Sequence, residues 1–427
     1  LFDSAIAYAY PDLKTPAIHD SSSVSIVGRE SYLYEYGWLR YRDPRYLLIL
    51  DDPTVSPQLD TRYQQFPVSV LFDREASAET PPVEWKSENF NDVGYGILRN
   101  TSETGTTSLL IDYGPNRSHG HPDKLNVDLW NSRTGIIAPD PGIVWYEKPL
   151  YRNWFRTTLA HNTLSVDERD QLPADGTLLV YGGGDTLAAQ RANAREAAPG
   201  VLMDRSLFLT REYVADIFGA FARLPRKLDL AWHLLGDFST DLPLIPFELP
   251  EPREAGYSEL ADTQSAKTDA AWSAIFNLKD TPVRFIAAGG APTEVITGDG
   301  WFGRVRPKTI IQRRQTADTV YGNIIDLSGE ATPFVQSSKF AGSLAQGYAA
   351  LVIETTKGRD TCIVTYRPGE YTLDGVRTDA LQAFIRREGD RVTSAILGGG
   401  RILSAPGLSI ILNHPGLVLL EHAENGS

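Results

Sequence analysis

Three of the seven histidines of this chain lie between positions 119 and 161: His119, His121 and His161. The first two stand in Ser118-His119-Gly120-His121-Pro122-Asp123. In an extended backbone, residues two apart point to the same side, so both imidazoles could face one site. Asp140 sits between Pro139 and Pro141, and His161 opens the run His161-Asn162-Thr163. Two imidazoles and a carboxylate without a thiol suit zinc and leave a fourth position for water or another ligand. The same pattern also fits an exposed loop carrying two unrelated histidines. Tyr146, Tyr151, Trp154 and Phe155 fall between Asp140 and His161, where aromatic side chains serve either as sugar platforms or as core. From 115 to 161 the charged side chains leave a balance of +2, in a chain whose formal net charge is −13. That contrast fits a local site for an acidic ligand, or ordinary surface scatter.

The elements that position these residues follow from the rest of the chain. At 427 residues, with 42% hydrophobic and 22% charged residues, it is a globular chain with a full core. The acidic balance argues against a dedicated nucleic-acid binder. Cys362 is the single cysteine, so neither an intrachain disulfide nor a cysteine zinc knuckle is available. No apolar run reaches the ~20 residues needed to span a bilayer. Residues 1–90 read mostly as helix. Asp43-Pro44 breaks the apolar stretch from Glu30 to Asp51 into two, and a third helix is expected from Asp60 to Phe72. Pro81-Pro82 reads as a connector. From 91 to 427 the period becomes two. Strands are expected at Ser108–Tyr113, Lys124–Trp130 and Ile136–Ala138, and a hairpin pairs Ala349–Glu354 with Thr361–Tyr366. Arg391 to Leu420 reads as several short strands with Gly-rich turns. The whole predicts a large antiparallel sandwich. Gly298-Asp299-Gly300-Trp301-Phe302-Gly303 matches G-x-G-x-x-G, but no helix is expected after it, so a turn between strands is the better reading.

Three segments together resemble the heparinase II/III-like polysaccharide lyases: His119-Gly120-His121-Pro122-Asp123-Lys124-Leu125, Ala138-Pro139-Asp140-Pro141-Gly142, and Tyr151 through Thr163 with its Ala160-His161-Asn162-Thr163. The early run Pro11 to Ser21 resembles the loop near the end of that family's helical domain. The resemblance implies an α+β chain: the C-terminal part of an incomplete α/α toroid, then a large antiparallel β-sandwich. It implies cleavage of uronate polysaccharides by β-elimination. It assigns His121, Asp140 and His161 to a structural zinc, and His119 to the active site, with Tyr151 or Tyr146 contributing. Arg156, Arg152, Asn116, Arg117 and His233 are the candidate substrate contacts. Arg156 or Arg152 is expected to lower the pKa of a catalytic tyrosine. His19, His414 and His422 are expected to be structural or surface residues.

The family's toroid supplies a carboxylate-neutralising Asn and an acid/base Tyr well upstream of the H-x-H segment. The resemblance therefore implies an N-terminal toroid segment or chain as partner. Leu1 to Ala7 shows no signal-peptide pattern, and a secreted or periplasmic location is implied by the resemblance alone. Two other functions fit the residues: a non-catalytic carbohydrate-binding sandwich, and a zinc-dependent glycan hydrolase with water on the metal.

Overall fold

The computed structural model describes residues 2–27, 33–50, 84–102, 105–115, 119–251 and 256–421. Among these, α-helix is confined to the N-terminal part, at Phe2–Tyr8, Leu33–Tyr41 and Leu47–Leu50, with a 3₁₀ turn at Pro44–Tyr46 before the last. The break expected at Asp43-Pro44 is present. Asp43 caps the turn by accepting from the Arg45 amide, and Pro44 takes the first-turn position where its missing N–H costs nothing. The stretch from Tyr10 to Val27 is extended loop rather than helix, and strand begins at Glu88. The helix expected at Asp60–Phe72 and the Pro81-Pro82 connector lie outside the described residues. No described helix is long and apolar enough to cross a membrane.

The rest is antiparallel sheet in three layers. A five-stranded meander runs Glu88–Phe90, Tyr95–Ser102, Gly105–Asp112, Val127–Asn131 and Gly135–Ala138. A twelve-stranded sheet lies in the middle and an eight-stranded sheet outside it. One core, with Leu109, Val127, Leu129, Phe218 and Trp232, fills the space between the first two layers. A second, with Phe208, Ile217, Ile324, Leu351 and Phe384, fills the space between the middle and outer sheets. The middle strands are thus covered on both faces, so Leu187–Ala198 and Val201–Thr210 are buried almost throughout instead of alternating. Where one face meets water the alternation returns, as in Trp272–Leu278.

Two strand expectations need correction. Lys124 to Asn126 form a turn, with Leu125 at φ 64° and the Asn126 amide donating to the Asp123 carbonyl, so the strand starts only at Val127. Arg391 to Leu420 is not a series of short strands. It forms two long ones, Arg391–Ala405 and Leu408–Glu421, and Gly398-Gly399-Gly400 lies inside the first as a shift of register. Glycine without a Cβ suits such a bulge as well as a turn. The Gly298–Gly303 segment does join two strands, Thr293–Asp299 and Lys308–Asp326.

Candidate active site and metal centre

The site forms where the meander meets the loops that precede the middle sheet. Strand pairing brings Asp112 and Asn126 together: the Asp112 amide donates to the Asn126 carbonyl, and the Leu125 amide donates to Asp112. This tight turn delivers His121, Asp123 and Lys124 into the interior, all buried. His161 follows the 3₁₀ turn Thr158–Ala160. Thr158 anchors that turn to the H-x-H loop, its hydroxyl donating to the Pro122 carbonyl at 2.6 Å. Asn162 stitches the rest: its amide nitrogen donates to the Val127 and Pro139 carbonyls, and its oxygen accepts from the His233 amide. Asp140 is held by Asn126 Nδ2 at 2.7 Å and by the Gly142 amide at 2.8 Å. Gly142 has φ +66°, and a Cβ there would stand 2.6 Å from the Ser21 carbonyl oxygen. Glycine is what lets the Asp140 loop lie against the loop carrying Asp20.

His121, Asp123 and His161 bring donor atoms within 4.8 Å of one another, while Asp140, the carboxylate expected in the set, stands beside His161 alone among them. His121 Nδ1 lies 3.1 Å from His161 Nε2. Asp123 Oδ2 and Asp140 Oδ2 lie 3.8 and 3.9 Å from that same nitrogen. Donor atoms around a tetrahedral zinc with bonds near 2.0–2.1 Å are about 3.3 Å apart, so this spacing fits. Hydrogen bonding sharpens the point. His161 Nδ1 faces the Thr157 carbonyl at 2.7 Å, which only accepts, so the proton belongs on that nitrogen. His121 Nε2 faces the Asp20 carboxylate at 3.0 Å and holds its proton there. The two remaining ring nitrogens then turn lone pairs toward each other, an arrangement that a cation between them relieves. Asp123 Oδ2 is buried without a well-formed hydrogen bond among the described residues, and His19 Nε2 stands 3.3 Å from it. Burial pushes His161 down to about 3 and also lowers His121, so both rings are neutral and ready to ligate. Burial raises Asp140 well above the carboxylate range, and the neighbouring Asp123 adds to this. Burial also opposes ionisation of Asp123, but Lys124 and His19 outweigh it and hold that carboxylate ionised.

Asp20, which the residue pattern did not single out, links this buried cluster to the surface. Its carboxylate accepts from Tyr151 at 2.9 Å and from Tyr146 at 3.2 Å, and lies 3.1 Å from His119 Nδ1. His119 Nδ1 is also 3.2 Å from the Tyr146 hydroxyl. His119 is exposed and sits at φ 68°, a left-handed conformation unusual outside glycine. His119 and His121 therefore do not face one site as an extended pair would. The left-handed residue turns one outward and leaves the other buried, with Asp20 between them.

The tyrosines depart from expectation. Burial and then Asp20 push Tyr151 up to about 12, and Arg156 only partly offsets this. Tyr146 is raised in the same direction. Asp20 stands at hydrogen-bond distance, and its negative charge outweighs the guanidinium. Arg152 and Arg156 are exposed beside the site. Asn116 and Arg117 lie outside the described residues. His233 is not a surface for substrate. It is buried, with Nε2 on the Leu159 carbonyl at 2.7 Å and Nδ1 on the Thr309 hydroxyl at 2.9 Å, and so supports the loop before His161. Trp154 and Phe155 are core.

His19, expected to be structural or surface, lies beside the cluster. Its Nε2 is 2.8 Å from Asp112 and 3.3 Å from Asp123. Lys124 Nζ is 2.9 Å from Asp112 and 3.4 Å from Asp123, so a buried ammonium supports the acidic pair. A cavity of about 820 Å³ lies away from all of this and is lined by Arg191, Asp204 and Tyr366. Asp204 and Arg205 are neighbours on one strand. Arg205 reaches the Leu125 and Asn162 carbonyls, so Asp204 and the cavity belong to the opposite face of the middle sheet.

The chain is 25% identical over 275 residues to an alginate lyase of Stenotrophomonas maltophilia (strain K279a), covering 56% of this chain and 36% of that protein. It is 30% identical over 92 residues to a heparin-sulfate lyase of Bacteroides stercoris, covering 20% of this chain and 14% of that protein. A heparan sulfate lyase from Pedobacter heparinus superposes with a TM-score of 0.61 at 14% identity, over 86% of this chain and 52% of that one. At that identity the likeness shows the fold: the antiparallel sheet architecture is that of these structures. The chain spans well under two thirds of each of these proteins. The sequence profile of the Heparinase II/III-like C-terminal family matches residues 82–339. With more than half of its length matched, including the H-x-H, D-x-G and A-H-N-T segments, the chain belongs to the heparinase II/III-like family.

Proposed function

We propose that this chain is the C-terminal part of a polysaccharide lyase that cleaves uronate-containing glycans by β-elimination. The observation that carries the reading is the carboxylate of Asp20, which gathers exposed His119 and Tyr146 and the hydroxyl of largely buried Tyr151 while bonding to buried His121. In β-elimination the C5 proton leaves, the uronate carboxyl must be neutralised, and the glycosidic oxygen must receive a proton. Tyr151, held up at about 12, keeps its proton at neutral pH. It suits donation to the leaving oxygen rather than proton abstraction. His119 is exposed and oriented by Asp20, and is placed to accept the C5 proton. Arg152 and Arg156 supply positive charge for the sugar carboxylate. An N-terminal toroid is the proposed source of any further acid, base or carboxylate-neutralising groups. An alginate lyase and a heparin-sulfate lyase among the relatives support a uronate polymer as substrate. Such a polymer is met outside the cytoplasm, which supports a secreted or periplasmic location.

A zinc ion held by His121, His161 and Asp140, with Asp123 on the remaining side, fits the donor set. It would tie the H-x-H and A-H-N-T loops together. The complete burial of these four side chains supports a structural rather than a hydrolytic role for the metal. The test is a panel of uronate polymers, alginate and heparan sulfate included, given to the complete natural polypeptide. Unsaturated product is followed by ultraviolet absorbance. Product from at least one polymer, lost in His119→Ala with the melting temperature retained, is the expected result. No product from any of them refutes the reading.

A further inference from the structure

The chain has eight tryptophans, and seven have a structural explanation. Trp130, Trp154, Trp232 and Trp272 are buried. Trp38, Trp85 and Trp301 are half-buried, each with a guanidinium over the ring, from Arg42, Arg99 and Arg306. Trp145 is the exception, with 74% of its surface exposed. Tryptophan is ordinarily among the more buried residues, so a bare indole asks for a partner.

Its position says which one. Trp145 immediately precedes Tyr146, whose hydroxyl bonds to Asp20 and lies beside His119. The turn is held by the Lys148 amide donating to the Trp145 carbonyl at 2.9 Å. Lys148, Arg152 and Arg156 are exposed on the same segment. A pyranose ring has one apolar C–H face and polar edges. It lays that face on a flat aromatic ring and turns a carboxylate at its rim toward cations, and indole offers the largest such ring at low entropic cost. Trp154 and Phe155, the other aromatic candidates of this region, are fully buried and cannot do this.

We infer that Trp145 is a sugar-stacking platform, holding a uronate ring adjacent to the residue that reacts at His119 and Tyr151. This rests on the lyase reading for the identity of the sugar, and its test separates the two. Trp145→Ala and Trp145→Phe are made in the complete polypeptide. Each is measured for equilibrium binding of tetrasaccharides cut from alginate and from heparan sulfate, and for KM and kcat on the parent polymers. Trp145→Ala is expected to weaken tetrasaccharide binding roughly tenfold, the scale of losing an aromatic anchor. KM rises in step while kcat falls less, and Trp145→Phe keeps most of the affinity. Tetrasaccharide binding also quenches tryptophan emission in the wild type, and Trp145→Phe abolishes that quench. Unchanged binding and KM in Trp145→Ala overturn the platform while leaving the lyase reading intact. Trp145-dependent binding without any turnover supports the platform and refutes the lyase reading. No binding by the wild type overturns both.

Discussion

Asp20→Asn isolates the contribution of the central carboxylate while changing almost no volume. In the wild type one oxygen accepts from His121 Nε2 at 3.0 Å and from Tyr151 at 2.9 Å. The other lies 3.1 Å from His119 Nδ1 and 3.2 Å from the Tyr146 hydroxyl. An asparagine keeps one acceptor oxygen, now neutral, and puts an NH₂ in place of the other. Hydrogen bonds to a charged acceptor contribute about 1.5–3 kcal/mol and neutral ones about 0.5–1.5. Weakening two bonds by about 1 kcal/mol each sets a floor of about 2 kcal/mol, before the acceptance lost in the other two is counted. Felt in the transition state, that floor is roughly 30-fold in kcat/KM. A second readout needs no turnover. Burial and then Asp20 hold Tyr151 up at about 12, so removing the charge lowers its titration toward the ordinary value of about 10. Tyrosinate absorbance of Asp20→Asn, compared with Asp20→Asn/Tyr151→Phe, reads this directly. A variant with kcat/KM within twofold of the wild type and an unshifted Tyr151 would refute the role given to Asp20.

Other perturbations test the layers beneath. Zinc at a hundredfold excess over its Kd stabilises a site that only the native state forms by about 2.7 kcal/mol. The wild type should gain this in thermal unfolding, and a His161→Ala variant that gains as much would contradict the proposed ligand set. Lys124→Met leaves buried Asp112 and Asp123 without their ammonium and should cost about 3–5 kcal/mol in urea unfolding. A loss below about 1 kcal/mol would mean that His19 alone balances the pair. Burial depresses His233 from 6.5 to about 4. Between those values the unfolded chain binds a proton that the native chain does not. Stability therefore falls as pH drops from 6.5 to 4, by about 3 kcal/mol for this group. His233→Gln should flatten that slope, and an unchanged slope assigns it to other groups.

Residue types and their order determined a good deal of this protein. The change from apolar helical stretches to period-two strands places the sheets, because side-chain alternation is a local property of extended backbone. Asp43-Pro44 marks the helix break for an equally local reason. The segments that carry His121, Asp140 and His161 were legible because their neighbours, such as Gly142 and Asn162, have local tasks of their own, but that Asp123 joins the two histidines was not. The tertiary structure decided the rest. Asp20 and His19 are about a hundred residues from His119 in the chain, and although their stretch resembles a loop of the family, nothing in it gives either residue a role at the site. Only the packing of the Pro11–Ser21 stretch against the meander makes Asp20 the link between the buried cluster and the surface. The left-handed backbone at His119, which sends the two histidines of H-x-H to different places, is likewise set by the fold. So is the field at Tyr151: the sequence shows two nearby arginines, but the facing carboxylate is closer, and proximity decides which charge prevails.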